Sequence, residues 1–309
     1  IEKETALLQT VKERGYLVCG VNAGLPGFAS EDEEGNWSGL DVDFCRAVSA
    51  AVFGDADKVE YLGLNSAQRF PTLASGSIDI LSRNTTWTIS RDVNLMFEFA
   101  GVSYYDGQGF LVPASLGITS ARGLDGAFVC IASETTSELN LNDYFAENNM
   151  AYRPIYVEGN KDAKAKLFAG ECDVFTTDAS GLASARAGAE NPDDWVVLPE
   201  IISKEPLGPL VRQGDQEWED VVRWTLFAMI NAEEMGITSR NVDDMLAAQS
   251  KEIKRLLGVE GYMGPMLGLG MKFGYNIIKL VGNYGESFNK HIGPGTPLNL
   301  ERGLNNLWN

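Results

Sequence analysis

The sequence predicts an α/β protein of two domains, each built on a mostly parallel sheet flanked by helices. Three observations carry this prediction. The chain has 309 residues, enough for two domains. Apolar runs typical of strands alternate with segments of helical periodicity through the first two thirds of the chain, which is the pattern of βαβ units. Glycine- and proline-containing breaks near 104–109 and 204–210 interrupt this alternation, as domain boundaries do.

The elements before the first break form one α/β set. We predict strands near 16–21, 58–62, 78–82 and 98–103, and helices near 4–14, 40–53, 66–75 and 90–95. The helix at 40–53 is framed by Gly39 and Gly54. We interpret Asp41 and Asp43 as residues that stabilise its N-terminus, in preference to catalytic acids.

A second α/β set follows the first break. We predict strands near 109–112, 127–132, 153–157, 173–177 and 195–198, and helices near 136–148, 161–169 and 179–187. After the second break we predict helical segments near 214–235, 241–257, 272–290 and 298–308. If the chain crosses between domains at both breaks, domain 1 comprises 1–104 plus 208–309, with a C-terminal helical extension. Domain 2 is then 105–207, inserted into domain 1, with a hinge near 103–108 and 203–208.

Charge and histidine content exclude several kinds of site. The net charge is −18, which disfavours nucleic acid and anionic membranes as partners. His291 is the only histidine and no CxxC motif is present, so we expect no metal site. We also expect no cofactor.

The four cysteines form two local sets. Cys19 lies in the first strand and Cys45 on the inward face of the helix at 40–53, whereas Cys130 and Cys172 lie at strand positions of the second set. We therefore predict disulfides Cys19–Cys45 and Cys130–Cys172, which require an oxidising compartment. Four buried free thiols are the alternative.

Polar residues of opposite charge follow two of the predicted strands. Asn84, Thr86 and Arg91 follow the strand at 78–82, and a guanidinium with hydroxyls can bind a carboxylate. Asp178 ends the strand at 173–177 and can bind a cation. An ordinary loop with a surface arginine is the alternative for 84–91. Together the two loops predict a site for a zwitterion.

Two further loops have the same position relative to strands. Asn22 begins a glycine-rich loop that ends at Phe28. Thr135 and Thr136 lie between a strand and a helix, where backbone N–H groups and hydroxyls suit an anion. A plain helix cap is the alternative. Because ligands bind beyond the carboxyl ends of parallel strands, we expect the four loops to meet in a cleft between the domains.

The segment Gly39-Leu40-Asp41-Val42-Asp43-Phe44, followed by Val48, resembles the signature of the polar amino-acid family of ABC-transporter solute-binding proteins. The segments 84–92, 134–139, 173–178 and 205–212 resemble the same family in its order, so the match covers nearly the whole chain. The form most similar is the general L-amino-acid or glutamate/glutamine/aspartate-binding subgroup, in which the long C-terminal part recurs.

This resemblance implies a two-domain periplasmic-binding-protein fold of type II with an extra C-terminal helical extension. It also implies a free L-amino acid as ligand and the membrane permease of an ABC transporter as partner. We expect the protein to be a monomer. The chain begins at Ile1, and we expect a cleaved signal peptide and a periplasmic location.

The resemblance also assigns roles to residues. Arg91 corresponds to the arginine that binds the ligand α-carboxylate, and Asp178 to the aspartate that holds the α-ammonium. Thr136 and Thr135 resemble the contacts that the third loop makes with the ligand carboxylate. The further ligand contacts that we predict are Asn22, Asn84 and Thr86.

Selectivity for the ligand side chain is assigned to a separate element. Ser66 and Arg69 resemble the element that holds a distal carboxylate, which indicates a preference for Glu, Gln or Asp. A serine cap with a solvated arginine is the alternative, and broad specificity stays open because water can satisfy different polar ends. Glu134 would repel an acidic ligand if it faced inward.

Two other classes of function compete with a binding protein. A dehydratase-like enzyme on the same fold would use a carboxylic acid, such as Asp178, over a ligand without an ammonium group. A receptor-like sensory module would need a signalling segment, which the sequence does not show. We therefore expect a binding protein and not an enzyme.

Overall fold

The computed structural model describes residues 6–307. The strands are β1 (Leu17–Asn22), β2 (Ser30–Glu31), β3 (Trp37–Ser38), β4 (Val59–Leu64), β5 (Ile80–Leu81), β6 (Phe97–Phe99), β7 (Tyr104–Asp106), β8 (Gln108–Pro113), β9 (Phe128–Ala132), β10 (Arg153–Val157), β11 (Val174–Asp178), β12 (Trp195–Val197), β13 (Glu205–Leu207) and β14 (Leu210–Arg212). The α-helices are α1 (Leu7–Arg14), α2 (Leu40–Phe53), α3 (Arg69–Ala74), α4 (Thr136–Glu147), α5 (Asn160–Phe168), α6 (Ala179–Ala187), α7 (Gln216–Glu234), α8 (Val242–Met245), α9 (Lys251–Leu256), α10 (Met263–Met266), α11 (Phe273–Leu280) and α12 (Tyr284–His291).

Two five-stranded sheets organise the described chain. Their strand orders are β4-β1-β5-β14-β6 and β10-β9-β11-β8-β12. In the first sheet β1 pairs in parallel with β4 and β5, whereas β14 is antiparallel to β5 and β6. In the second, β9 is parallel to β10 and β11, whereas β8 is antiparallel to β11 and β12. The α/β class is confirmed, and the sheets are more mixed than expected because β8 and β14, which follow the two breaks, run against their neighbours.

Each sheet has its own hydrophobic core. We call the first sheet with its helices α1–α3 and α7–α12 lobe 1, and the second sheet with α4–α6 lobe 2. The large core of lobe 1 includes Val21, Val48 and Trp218. Lobe 2 has two smaller cores, one around Phe110 and one around Phe175.

The chain passes between the lobes at β7 and β13. These strands pair antiparallel, with Asp106 opposite Glu205. On the other side of β7, Asn305 donates to the carbonyl of Tyr105 (3.1 Å) and accepts from its N–H (2.6 Å). The crossings lie within the ranges predicted for the hinge, while the domain limits and the hinge motion stay predictions.

The C-terminal helices complete the core of lobe 1. Phe273, Ile277 and Phe288 are buried there together with residues of α2 and α7. The predicted helix at 272–290 is wrong as one element, because Gly282 (φ +107°) interrupts it and Asn283 starts α12 with a capping box.

Other boundaries also differ from those predicted. The predicted helix at 241–257 is two short helices, α8 and α9, and the segment 90–95 forms a π-helix over Ser90–Asn94. Of the predicted helix 298–308, only a 3₁₀ turn at Gly303–Asn305 is present within the described residues. Residues 4, 5 and 308 of the predicted terminal helices lie outside the described range.

Two disulfides link the predicted cysteine pairs. Cys19–Cys45 joins β1 to α2, and Cys130–Cys172 joins β9 to the segment before β11. The free-thiol alternative is therefore wrong. Separately, no helix among residues 6–307 combines the length and apolarity needed to cross a membrane.

Candidate functional site

A cavity lies between the two lobes, at the carboxyl ends of β1, β5, β9 and β11. Lobe 1 contributes Asn22, Ser66, Arg69, Arg83, Asn84, Thr86 and Arg91 to its lining. Lobe 2 contributes Ala132, Thr135, Thr136, Ser137, Val157, Gly159, Asn160, Phe175, Thr176, Thr177 and Asp178. All nine residues predicted to contact the ligand meet here, although their roles toward a ligand stay predictions.

The lobes contact each other around this cavity. The Ser184 hydroxyl of α6 donates to the carbonyl of Pro26 at 2.9 Å. The hydroxyl oxygens of Thr86 and Thr136 lie 3.4 Å apart, one from each lobe. The described arrangement is therefore closed over the cavity.

Asn22 and Asn84 connect the first two loops. The Asn22 amide donates to the side-chain oxygen of Asn84 at 2.9 Å, and its own oxygen accepts from the N–H of Gly24 at 3.0 Å. Asn84 has a φ of +29°, a left-handed conformation that asparagine tolerates better than most residues. These contacts fix both side chains at the cavity wall.

Asp41 holds this wall from behind. Its buried carboxylate accepts hydrogen bonds from the N–H of Asn84 (3.0 Å) and from the Ser82 hydroxyl (3.4 Å). Burial raises the pKa of Asp41 to about 6, although these hydrogen bonds and the Arg83 charge oppose the shift.

Asp41 and Asp43 lie in the first turn of α2, where acidic residues complement the helix dipole as expected, but no side-chain hydrogen bond caps the helix within the described residues. Asp43 instead contacts α12, where its carboxylate lies 2.8 Å from His291 Nε2 and accepts from the Ser287 hydroxyl at 3.0 Å. Both acids therefore tie α2 to other elements.

Arg91 is buried at the cavity and is not a surface arginine. It is 6% exposed, and its Nη1 donates to the carbonyl of Thr86 at 2.8 Å. Its guanidinium lies over the Phe70 ring, 5.2 Å from the centroid. Burial lowers the pKa of Arg91, and the charges of Glu205 and Asp178 oppose that shift. The surface-loop alternative is therefore wrong.

Arg69 is the least satisfied cation of the site. It is 4% exposed, and its Nη1 reaches only the Thr85 hydroxyl at 3.4 Å. Among the described residues its Nε has no hydrogen-bond partner. Burial, followed by the charges of Arg91 and Arg83, lowers the pKa of Arg69 well below its usual value.

The alternative of a serine cap with a solvated arginine is therefore wrong, since Arg69 is buried. Asn65 and Gln68 make the reciprocal contacts at the start of α3: each side-chain oxygen accepts from the other's N–H, at 2.9 and 3.1 Å. Ser66 itself lines the cavity.

Arg83 is a site residue that the sequence reasoning missed. It is 3% exposed, lines the cavity and donates through Nε to the carbonyl of Leu64 at 2.8 Å. An arginine two residues after the apolar strand at Ile80–Leu81 was an available signal. Three buried guanidiniums, those of Arg69, Arg83 and Arg91, thus share one cavity.

Asp178 is the buried acid at the end of β11. Its pKa is raised well above the usual value, first by burial and then by the neighbouring charges of Asp106 and Glu205. A hydrogen bond from Asn84 and the charge of Arg69 oppose the shift. The site therefore combines three clustered guanidiniums with the carboxyl group of Asp178, which a positively charged ligand group would stabilise in its ionised form.

The third loop divides its tasks between neighbouring residues. Thr135 caps α4, accepting from the N–H of Glu138 at 3.3 Å, and its hydroxyl donates to the carbonyl of Ala132 at 2.7 Å. The helix-cap alternative thus applies to Thr135, which also lines the cavity. Glu134 is exposed, with a φ of +59°, and does not line the cavity.

Glu205 is a second residue that the sequence reasoning missed. It is 2% exposed on the crossing strand β13, and its carboxylate accepts hydrogen bonds from Thr86 (2.5 Å) and Thr136 (3.0 Å). A glutamate before Pro206 at the second break was the available signal.

Trp87 has a structural role next to the site. Its ring stacks on that of Phe99, with the ring centroids 5.3 Å apart.

Comparisons with known proteins agree with this geometry. Residues 17–240 match the family of bacterial extracellular solute-binding proteins, family 3. The chain is 56% identical over 304 residues to the general L-amino acid-binding periplasmic protein AapJ of Rhizobium johnstonii, covering 98% of this chain and 89% of that protein. It is 53% identical over 302 residues to the glutamate/glutamine/aspartate/asparagine-binding protein BztA of Rhodobacter capsulatus, covering 97% and 89%.

A solved structure has nearly the same fold. It is an ABC transporter / periplasmic binding protein from Brucella ovis with glutathione bound, with a TM-score of 0.96 and 53% identity over 99% of this chain and 96% of that one. The predicted type II periplasmic-binding-protein fold is confirmed. These relatives are binding proteins and not enzymes, so the dehydratase alternative falls away. The chain therefore belongs to the bacterial extracellular solute-binding proteins, family 3.

Proposed function

We propose that this protein binds free L-amino acids in the cavity between its lobes and delivers them to the permease of an ABC transporter. Arg91 binds the α-carboxylate and Asp178 binds the α-ammonium. Asn22, Asn84, Thr86, Thr135 and Thr136 complete the contacts around the ligand backbone.

One observation carries this proposal: a buried guanidinium from lobe 1 and a buried carboxyl group from lobe 2 line the same closed cavity. A zwitterion supplies the missing opposite charge to each of them. Charge-assisted hydrogen bonds to such groups are the strong ones in a site shielded from water. Because the two groups belong to different lobes, the ligand also favours closure at β7 and β13.

The three guanidiniums support a preference for ligands with a polar or acidic side chain. Arg69 and Ser66 take the distal group in this proposal, and Arg83 adds positive charge beside them. The unpaired Nε of Arg69 supports this assignment, since a buried N–H without a partner is costly until a ligand satisfies it. Glu, Gln and Asp are the side chains that suit it.

The relatives support the remaining parts of the proposal. AapJ and BztA are named for binding general L-amino acids and glutamate, glutamine, aspartate or asparagine. We infer a periplasmic location from such relatives and from the two disulfides. We also propose that the protein is a monomer, with domain 1 at 1–104 plus 208–309 and domain 2 at 105–207.

Glutathione is a second candidate ligand. The Brucella ovis structure is described with glutathione bound. The γ-glutamyl end of glutathione is an amino-acid zwitterion, which suits Arg91 and Asp178, and its distal carboxylate suits Arg69 and Arg83.

Calorimetric titration of ligand-free protein tests the proposal. The ligands are the twenty L-amino acids and S-methylglutathione, which cannot exchange with the protein disulfides. Tightest binding of Glu, Gln or Asp is the expected result. Failure of every amino acid to bind contradicts the proposal, and binding of S-methylglutathione alone replaces the free amino acid with the tripeptide.

A further inference from the structure

The carboxylate of Glu205 connects the two lobes through four hydrogen bonds. Its Oε2 accepts the hydroxyls of Thr86 (2.5 Å) and Thr136 (3.0 Å). Its Oε1 accepts the Asn140 amide (2.7 Å) and the Ser203 hydroxyl (2.6 Å). Thr86 follows β5 in lobe 1, whereas Thr136 and Asn140 belong to α4 in lobe 2. The four bonds form together only when the lobes are closed.

These hydrogen bonds decide what the two threonines can offer to a ligand. A threonine hydroxyl has one proton to donate, and an ionised carboxylate only accepts. Once both protons point to Glu205, the oxygens of Thr86 and Thr136 retain only lone pairs. Both residues line the cavity. A ligand atom that meets them must therefore be a donor.

Resting on the proposed function, we propose that Glu205 is a positioning residue that selects the ligand's α-ammonium group. Because Glu205 accepts hydrogen bonds from both hydroxyls, the oxygens of Thr86 and Thr136 act as acceptors for the ammonium N–H groups. Asp178 binds the same ammonium group. A ligand carboxylate at this position would face the two hydroxyl oxygens, which only accept, and would also lie near the carboxylates of Asp178 and Glu205. The α-carboxylate is left to Arg91 and to the free N–H groups at the start of α4.

This assignment changes the role expected for Thr136. The resemblance of its loop suggested a contact with the ligand carboxylate, which would need the hydroxyl proton. Because the Thr136 hydroxyl already donates its hydrogen bond to Glu205, only the backbone N–H of Thr136 remains as a donor to the ligand. The hydroxyl oxygen then belongs to the ammonium side of the ligand.

Two variants and one control test the inference. Glu205→Gln keeps the side-chain volume but removes the charge and turns an NH₂ group toward one pair of donors. Thr136→Val removes one hydroxyl at constant shape. Glu200→Gln is the matched control, because Glu200 lies five residues before Glu205 and also accepts a hydroxyl hydrogen bond, but from Ser120 (2.5 Å) and not from the two threonines of the cavity.

The readout is selectivity between an amino acid and the 2-hydroxy acid of the same shape, which lacks the ammonium group. The pairs are L-glutamate with L-2-hydroxyglutarate, and L-leucine with L-2-hydroxyisocaproate. Each Kd is measured by calorimetry, and far-ultraviolet circular dichroism establishes that every variant is folded. We expect the preference for the amino acid to fall at least about tenfold in Glu205→Gln and Thr136→Val, and to be unchanged in Glu200→Gln.

The outcomes separate this inference from the proposed function. Wild-type protein that binds no member of either pair contradicts the proposed function and removes the basis of the inference. Wild-type protein that binds the amino acids, with an unchanged preference in both folded variants, overturns the inference alone. An equal loss of preference in Glu200→Gln also overturns it, because the effect would then be one of general charge.

Discussion

The N–H of Asn84 donates to the carboxylate of Asp41 at 3.0 Å, which joins the cavity wall to the first turn of α2. Asp41 is fully inside lobe 1, and burial raises its pKa from 3.8 to about 6. Between these two values the folded protein therefore retains the carboxyl proton of Asp41, which the unfolded chain has released. The stability that depends on Asp41 is intact below pH 3.8 and is lost as the pH rises through 6.

Asp41→Asn removes this dependence, because an amide does not titrate. The unfolding free energy of wild type, relative to the variant, is expected to fall by about 3 kcal/mol between acidic and neutral pH. Denaturant unfolding of both proteins across that pH range measures the difference between their unfolding free energies. The contributions of the other acidic residues are common to both proteins and cancel in this difference. Asp193→Asn is the control, since the side chain of Asp193 is 92% exposed. A pH-independent difference for Asp41→Asn would contradict the assignment.

Asp178 predicts that ligand binding releases a proton. Burial, with Asp106 and Glu205, raises its pKa, so ligand-free protein retains this proton as the pH rises. An ammonium group requires the ionised carboxylate, and the proton must leave when the amino acid binds. Affinity is therefore expected to increase as the pH rises through the raised pKa.

Calorimetry in buffers of different ionisation enthalpy measures this proton release. Asp178→Asn is expected to bind weakly and to release no proton, whereas Asp193→Asn should match wild type. Binding enthalpies that do not depend on the buffer at any pH at which wild type binds the ligand would exclude Asp178 as the ammonium partner.

We predict that Arg69 lowers the stability of the ligand-free fold while it provides selectivity for the ligand side chain. Its guanidinium is buried beside Arg91 and Arg83 with an unpaired Nε, an arrangement that disfavours the ligand-free fold. Arg69→Met is expected to unfold at higher denaturant concentration than wild type. It should also lose at least about tenfold more affinity for L-glutamate than for L-leucine. Arg122→Met, at an exposed arginine, is the control, and equal losses for both ligands would remove Arg69 from the distal site.

Local signals explain which parts of the fold the sequence predicted. The bounds of α2 and α6 are those predicted, because glycines or a strand end frame each helix. Strands β7 and β13 were missed because three residues show no periodicity, and their pairing depends on residues about a hundred positions apart. The break at Gly282 was visible in the sequence but lay inside a strongly apolar pattern.

The site was predicted where residue type alone carries the chemistry. Arg91 and Asp178 follow strands and have opposite charges, so sequence position was informative. Glu205 and Arg83 required tertiary structure, because an arginine after a strand or a glutamate before a proline does not by itself establish that the side chain turns inward. The contact between Asp41 and Asn84 was missed for the same reason, because the two residues are 43 positions apart in the sequence.

Titration of L-glutamate into Arg91→Ala beside wild type tests the central claim most directly. The claim is that a buried charge-assisted contact to the α-carboxylate holds the ligand, so the variant should lose about 3 kcal/mol, or roughly 100-fold in Kd. Arg153→Ala, at an exposed arginine of lobe 2, should bind as wild type does. An unchanged Kd in folded Arg91→Ala would contradict the claim and place the α-carboxylate elsewhere.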